Sequence, residues 1–144
     1  MKRTTLHATI IGALALSATA FGISAAVGSP RTLMSPGDYS SARSAIEAGL
    51  RGALVKCGDL EGHANDLCKT EARAGQRIRM ADLEADYRGT VAAAADAKLA
   101  RAKARYDVAK VKCVAEHGDG KFACLRSARF DKEKALSEGK LAST

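Results

Sequence analysis

From Ser35 onward the chain alternates apolar and polar residues at helical spacing. Tyr39, Ala42, Ile46, Leu50, Ala53 and Cys57 recur every three or four residues, which places them on one face of a helix. Ser35 suits the N-cap, Pro36 the first helical position, and Asp38 falls three residues after the cap as in a capping box. This predicts a first helix over about 36–57. Gly49 and Gly52 lie within it and weaken it, unless they admit a close neighbour.

Gly58 and Gly62 punctuate the next stretch, and Asn65 can cap a second helix. From Leu67 to about Val114 there is no proline, and Ala, Arg, Lys, Glu, Leu and Met dominate. One apolar stripe runs Met80, Leu83, Tyr87, Val91, Ala95, Leu99, Ala102, Tyr106, Ala109 and Cys113 in heptad-like, coiled-coil steps. The pattern predicts a long central helix over about 65–116, with Gly75 and Gly89 as its weak points. Gly118, Asp119 and Gly120 break the chain again. Asp119 can cap a third helix over about 121–138, carrying Phe122, Leu125, Ala128, Ala135 and Leu136. The expected fold is therefore all-α: three helices, the outer two packed on opposite ends of a long central one.

Ahead of these helices, Lys2 and Arg3 precede the apolar run from Ala8 to Leu16. Small residues follow, ending in Ser24-Ala25-Ala26. A basic start, a short apolar centre and an A-x-A-like end are those of a secretory signal peptide, with Ala18-Thr19-Ala20 as the alternative cleavage site. The apolar run is shorter than the ~20 residues that span a bilayer. No cysteine adjoins the cleavage site, so a lipoprotein anchor is not expected. The organisation read from the chain is a leader at 1–26, a linker at 27–35 and a helical domain at 36–144.

Export changes the reading of charge and cysteine. With Lys2 and Arg3 removed from the 23 basic residues, 21 remain against 16 acidic ones, a net of +5. That favours acidic partners such as anionic lipid or glycan surfaces, and no nucleic acid is expected. Trp is absent and aromatic residues make up 4% of the chain. Such a chain cannot build a thick core and needs staples.

The staples are Cys57, Cys68, Cys113 and Cys124, the only cysteines present. They form two Cys-x10-Cys units, "CGDLEGHANDLC" and "CVAEHGDGKFAC". A shift of 56 residues superposes the units and also pairs Gly62 with Gly118, Ala48 with Ala104, and Val55-Lys56 with Val111-Lys112. The chain reads as a duplicated helical hairpin, repeat 1 over about 36–88 and repeat 2 over about 92–144. Three disulfide pairings are possible. Local pairing, Cys57–Cys68 and Cys113–Cys124, clips each helix end to the next helix start. Crossed pairing, Cys57–Cys124 and Cys68–Cys113, needs helix through glycine-rich segments, so glycine placement favours the local one. The third, Cys57–Cys113 with Cys68–Cys124, suits parallel hairpins.

Other chemistry is sparse. His63 and His117 lie between the paired cysteines but are not equivalent under the shift, and Asp119 falls where His63 would repeat. C-x10-C is not a zinc-knuckle spacing, so no metal and no cofactor is expected. No C-x-x-C redox motif, phosphate loop or carboxylate pair suggests an enzyme. The one binding candidate is "KLARAKARYDVAKVK". Lys98, Arg101, Arg105 and Lys112 line one edge of its apolar seam, and Lys103 and Lys110 the other. Basic residues flanking such a seam could snorkel toward an anionic membrane or glycan surface. The competing reading is an internal helix seam with solvated basic shoulders.

"GHANDLCKTEAR", Gly62 to Arg73, resembles a "G-[NH]-A-[KN]-D-x-C" segment of small exported Ala/Lys-rich proteins of Gram-negative, mainly β-proteobacterial, bacteria. These proteins repeat a Cys–loop–Cys unit, and some carry a TolA-like label. "GDGKFACLRSAR", Gly118 to Arg129, is a degenerate second copy, and the resemblance covers roughly Leu50 to Lys134. It implies export and a repeated helical unit. The likeness to TolA is compositional, from Ala-, Lys- and Arg-rich helix, and does not bring that protein's role with it. The function expected is that of a periplasmic structural or interaction protein of the cell envelope, binding an envelope protein or a second copy through Ala-rich seams.

Overall fold

In a computed structural model, residues 33–141 are described; the expected leader and most of the linker lie outside them. Four α-helices follow in order: α1 Pro36–Cys57, α2 Gly62–Arg88, α3 Val91–Val114 and α4 Gly118–Leu141. The described residues are all-helical, but the helices number four rather than three. The expected central helix breaks at Gly89, which takes the left-handed conformation (φ 63°) and caps α2 through its N–H to the Ala85 carbonyl. Thr90 then caps α3, its hydroxyl accepting from the Ala93 N–H. A left-handed glycine followed by a threonine cap ends one helix and starts the next within two residues. Heptad spacing continues across that break, so periodicity alone could not reveal it.

The boundaries also shift. Ser35 caps α1 as its sequence suggests, accepting from the Asp38 N–H at 3.1 Å. Asn65 does not cap α2. Its amide donates to the carbonyls of Cys57 and Leu60, closing the end of α1. The start of α2 falls at Gly62 and that of α4 at Gly118, so Asp119 lies in the first turn of α4 rather than at its cap.

Both disulfides are local, Cys57–Cys68 and Cys113–Cys124, each with a Cα–Cα distance of 5.6 Å. Each joins the last residue or turn of one helix to the first turns of the next. The outer helices do not sit at opposite ends of a long rod. Instead α1 runs antiparallel along α2, α2 along α3, and α3 along α4; among the described residues no other helix pair touches. The result is a single layer of four helices, in which only α2 and α3 have neighbours on both sides.

That arrangement explains the alanines. In α3, Ala93, Ala97 and Ala104 are buried on one side, and Ala95, Ala102 and Cys113 on the opposite side. The first set shares its face with Arg101, Asp107 and Lys112, all paired to α2; the second adjoins Tyr106, which faces α4. A helix covered from two sides needs small residues on both, because Ala lets axes approach to about 8 Å. The single stripe expected from the sequence thus divides: Tyr87 stacks on Tyr39 of α1 at 4.5 Å between ring centroids, whereas Ala102 and Tyr106 serve the α3–α4 seam. Leu83 is the one large aliphatic side chain in the buried set of the described residues. So thin a core is stabilised by its two covalent clips.

Candidate functional site

The four cysteines are consumed in disulfides, so they offer no thiolate to a metal or a redox partner. His63, in the first turn of α2, and His117, between α3 and α4, are both exposed. Among the described residues no group of three or more His, Cys, Asp or Glu side chains could hold a metal ion. Two disulfides place the folded protein in an oxidising, extracytoplasmic environment. Among the described residues no helix is long and apolar enough to cross a membrane.

The six basic residues of the 98–112 stretch all lie on α3, and its burial between α2 and α4 divides them. Lys98, Arg101 and Arg105 line a groove of about 560 Å3 between α3 and α4, shared with Tyr106 and Lys132. Lys112 joins Arg105 on the same side, along the α2–α3 groove. Lys103 and Lys110 emerge on the other face of the layer, beside Arg77. Half of the set is engaged within the protein. Arg101 pairs with Asp82 at 2.6 Å, Lys112 with Glu71 at 2.9 Å, and Lys110 with Asp107 at 3.0 Å. Arg77 adds a second contact to Asp107 at 2.9 Å. Burial pushes the Asp107 carboxyl upward, but Lys110 and Arg77 outweigh it and hold the group below its ordinary range. Lys98, Lys103 and Arg105 form no ion pair among the described residues.

The apolar seam beneath these residues is occupied. Ala102 and Cys113 are buried, and the Tyr106 ring lies under Lys132 of α4 at 4.5 Å and Lys110 at 5.0 Å. Such cation–π contacts hold the ring in place between two helices. Asp131 and Glu138 lie on the α4 side of the same groove and offset part of its positive charge. No sequence spacing signals the Tyr106–Lys132 contact, because its partners come from separate helices and meet only when the hairpin closes.

Two further surfaces were not legible as sites. The α2–α3 seam opens into a groove of about 390 Å3 floored by Ala74, Gly75, Ile78, Ala104 and Val108. On α4, Phe122 and Phe130 are 70% and 65% exposed. These are the only phenylalanines among the described residues, and both point away from the thin core. The sequence reading places Phe122 with the apolar residues of its last helix; instead it lies outside the face that packs on α3.

Fold and surfaces together define a disulfide-clipped α-helical protein built from two hairpins. Comparison with protein-family models, with curated proteins and with solved structures finds no match to this chain.

Proposed function

We propose that the protein is an exported structural or interaction module of the cell envelope, carried to the periplasm by its cleaved leader, and that it works by presenting helix faces rather than by catalysis. The observation that carries this reading is the single helical layer. Among the described residues each helix packs only on its neighbours in the chain, which leaves helix faces exposed to partners. Exposed Val55, Phe122 and Phe130 on the edge helices are suited to apolar contact. The disulfides let such an open layer keep its shape where thiols are oxidised.

The test is recovery of the tagged, oxidised protein from intact envelopes after crosslinking, followed by identification of its neighbours. A defined neighbour still captured when the crosslinking is carried out in high salt supports the reading, because charge contacts are screened within ~3 Å at about 1 M salt. Recovery of the chain with no neighbour, its own copies included, argues against it.

Lys98 and Arg105, which form no ion pair among the described residues and line the groove that Lys132 also reaches, favour a second reading: contact with anionic membrane or glycan surfaces. Salt-sensitive binding to vesicles containing anionic lipid, lost on reversal of Lys98 and Arg105, would distinguish it.

A further inference from the structure

The 56-residue shift that maps α1 onto α3 and α2 onto α4 defines how one hairpin is followed by the next. Hairpin 2 docks on hairpin 1 through the α2–α3 junction. Repeating that step places the first hairpin of another copy, led by its α1, against α4. In repeat proteins the terminal units have polar outer faces, which stop such propagation. Here each terminal face carries exposed apolar or small residues among its polar ones.

On α4, the side turned away from α3 carries Arg126, Phe130, Glu133 and Ser137, with Phe122 at its flank. On α1, the side turned away from α2 carries Ser41, Ala45, Ala48, Gly52 and Val55, all exposed. Among the described residues nothing packs against Gly52 closely enough to require glycine. A Cβ there would meet nothing within 4 Å, and mid-helix glycine weakens a helix.

The α2–α3 junction shows what these faces would do to each other. There, Ala74 of α2 lies beside Ala104 and Val108 of α3. The shift converts Ala74 to Phe130, Ala104 to Ala48 and Val108 to Gly52. One side gains bulk where the other loses it. Arg77 pairs with Asp107 across the internal junction. Their equivalents are Glu133 and Arg51: both signs are reversed and complementarity is retained. Asp66 adjoins Val111 in the internal junction, and its equivalent, Phe122, would meet Val55, which is 75% exposed.

We propose that the outer face of α4, through Phe122, Phe130 and Glu133, docks on the outer face of α1 of a second copy. The protein thereby associates head to tail and extends its own helical layer. The contact joins two different faces, so it does not close at a dimer unless the accumulated rotation closes a ring. This deepens the reading of the protein as an interaction module and rests on it.

The test is sedimentation velocity on the exported, oxidised protein over a concentration series. The expected result is an average mass that rises beyond two chains. Phe130→Asp and Gly52→Glu alter exposed positions and should leave the monomer fold intact, which circular dichroism checks. Each should weaken association at least tenfold, as should Glu133→Arg, with Arg51→Glu restoring it in the double variant. Mixing the Phe130→Asp and Gly52→Glu proteins should give a one-to-one complex that stops at two chains, since each retains one working edge. A wild-type protein that stays monomeric throughout overturns the inference, as does a dimer insensitive to Gly52→Glu. If the monomeric protein still recovers an envelope neighbour, the inference is lost while the wider reading stands.

Discussion

Gly62 and Gly118, 56 residues apart, hold the same left-handed backbone, with φ of 53° and 54°. Each opens the second helix of its hairpin, six residues before the cysteine that clips that helix to the one before it. The left-handed turn reverses the chain tightly enough for the two cysteine Cα atoms to lie 5.6 Å apart. An added Cβ at either glycine meets no atom within 4 Å, so what selects glycine is conformation rather than space. Gly62→Ala and Gly118→Ala should each lower stability by roughly 1–2 kcal/mol, the cost of a left-handed L-residue. Asparagine at the same positions should cost less. Urea midpoints of the oxidised proteins measure both effects.

Each disulfide closes a short loop, Cys57 to Cys68 and Cys113 to Cys124. Replacing either pair by serine should remove about 3 kcal/mol, the chain-entropy value for loops of this length. The two losses should add, since the clips lie in separate hairpins. Thermal melts of the two paired variants and their combination give the values.

Ala104 and Ala48 are equivalent under the repeat shift, yet Ala104 is 1% exposed between α3 and α2 while Ala48 lies open on α1. Ala104→Leu should destabilise by about 1–3 kcal/mol through overpacking. Ala48→Leu should leave the unfolding midpoint of the isolated chain within about 0.5 kcal/mol of wild type. Equal losses at both sites would contradict the single-layer packing.

Tyr39 donates a hydrogen bond to Glu84 at 2.8 Å, and Arg88 also reaches that carboxylate. The bond from Tyr39, then that from Arg88, lowers the Glu84 pKa, and acceptance by Glu84 raises that of the Tyr39 hydroxyl. A lowered carboxylate contributes stability above its ordinary pKa of 4.5 and loses it as pH falls through the lower folded value. A raised phenol contributes below 10.0 and loses that contribution as pH rises through the higher folded value. Stability should therefore fall on both sides of neutrality, and Tyr39→Phe should flatten both limbs: it removes the raised phenol and also the hydrogen bond that most lowers the Glu84 pKa. Melting temperature against pH for both proteins provides the check.

Across the α2–α3 seam, Arg101–Asp82 and Lys112–Glu71 are partly exposed pairs. A double-mutant cycle on either should return a coupling of about 0.2–1 kcal/mol that shrinks with added salt. These pairs fix the register of the two hairpins more than they stabilise them.

The all-helical class, the face of α1, the N-cap at Ser35 and the equivalence of Gly62 with Gly118 were legible in the sequence, because each depends on residues close together in the chain. Composition likewise required staples, since so few large apolar residues cannot form a thick core. Glycine placement favoured local disulfides over crossed ones, and the folded hairpins settle the choice. Gly89 was legible as a weak point, but not as a full break, because Leu83, Tyr87, Val91 and Ala95 keep helical spacing across it. That α3 is covered on two opposite sides was likewise invisible: alanine reads as a helix former whether buried or exposed. Tertiary structure alone decided that Arg101 and Lys112 of the 98–112 stretch pair across the α2–α3 seam, with Asp82 and Glu71. It also turned Phe122 and Phe130 outward, because a helix at the edge of a single layer has one neighbour, and its far side has nothing in the same chain to pack against.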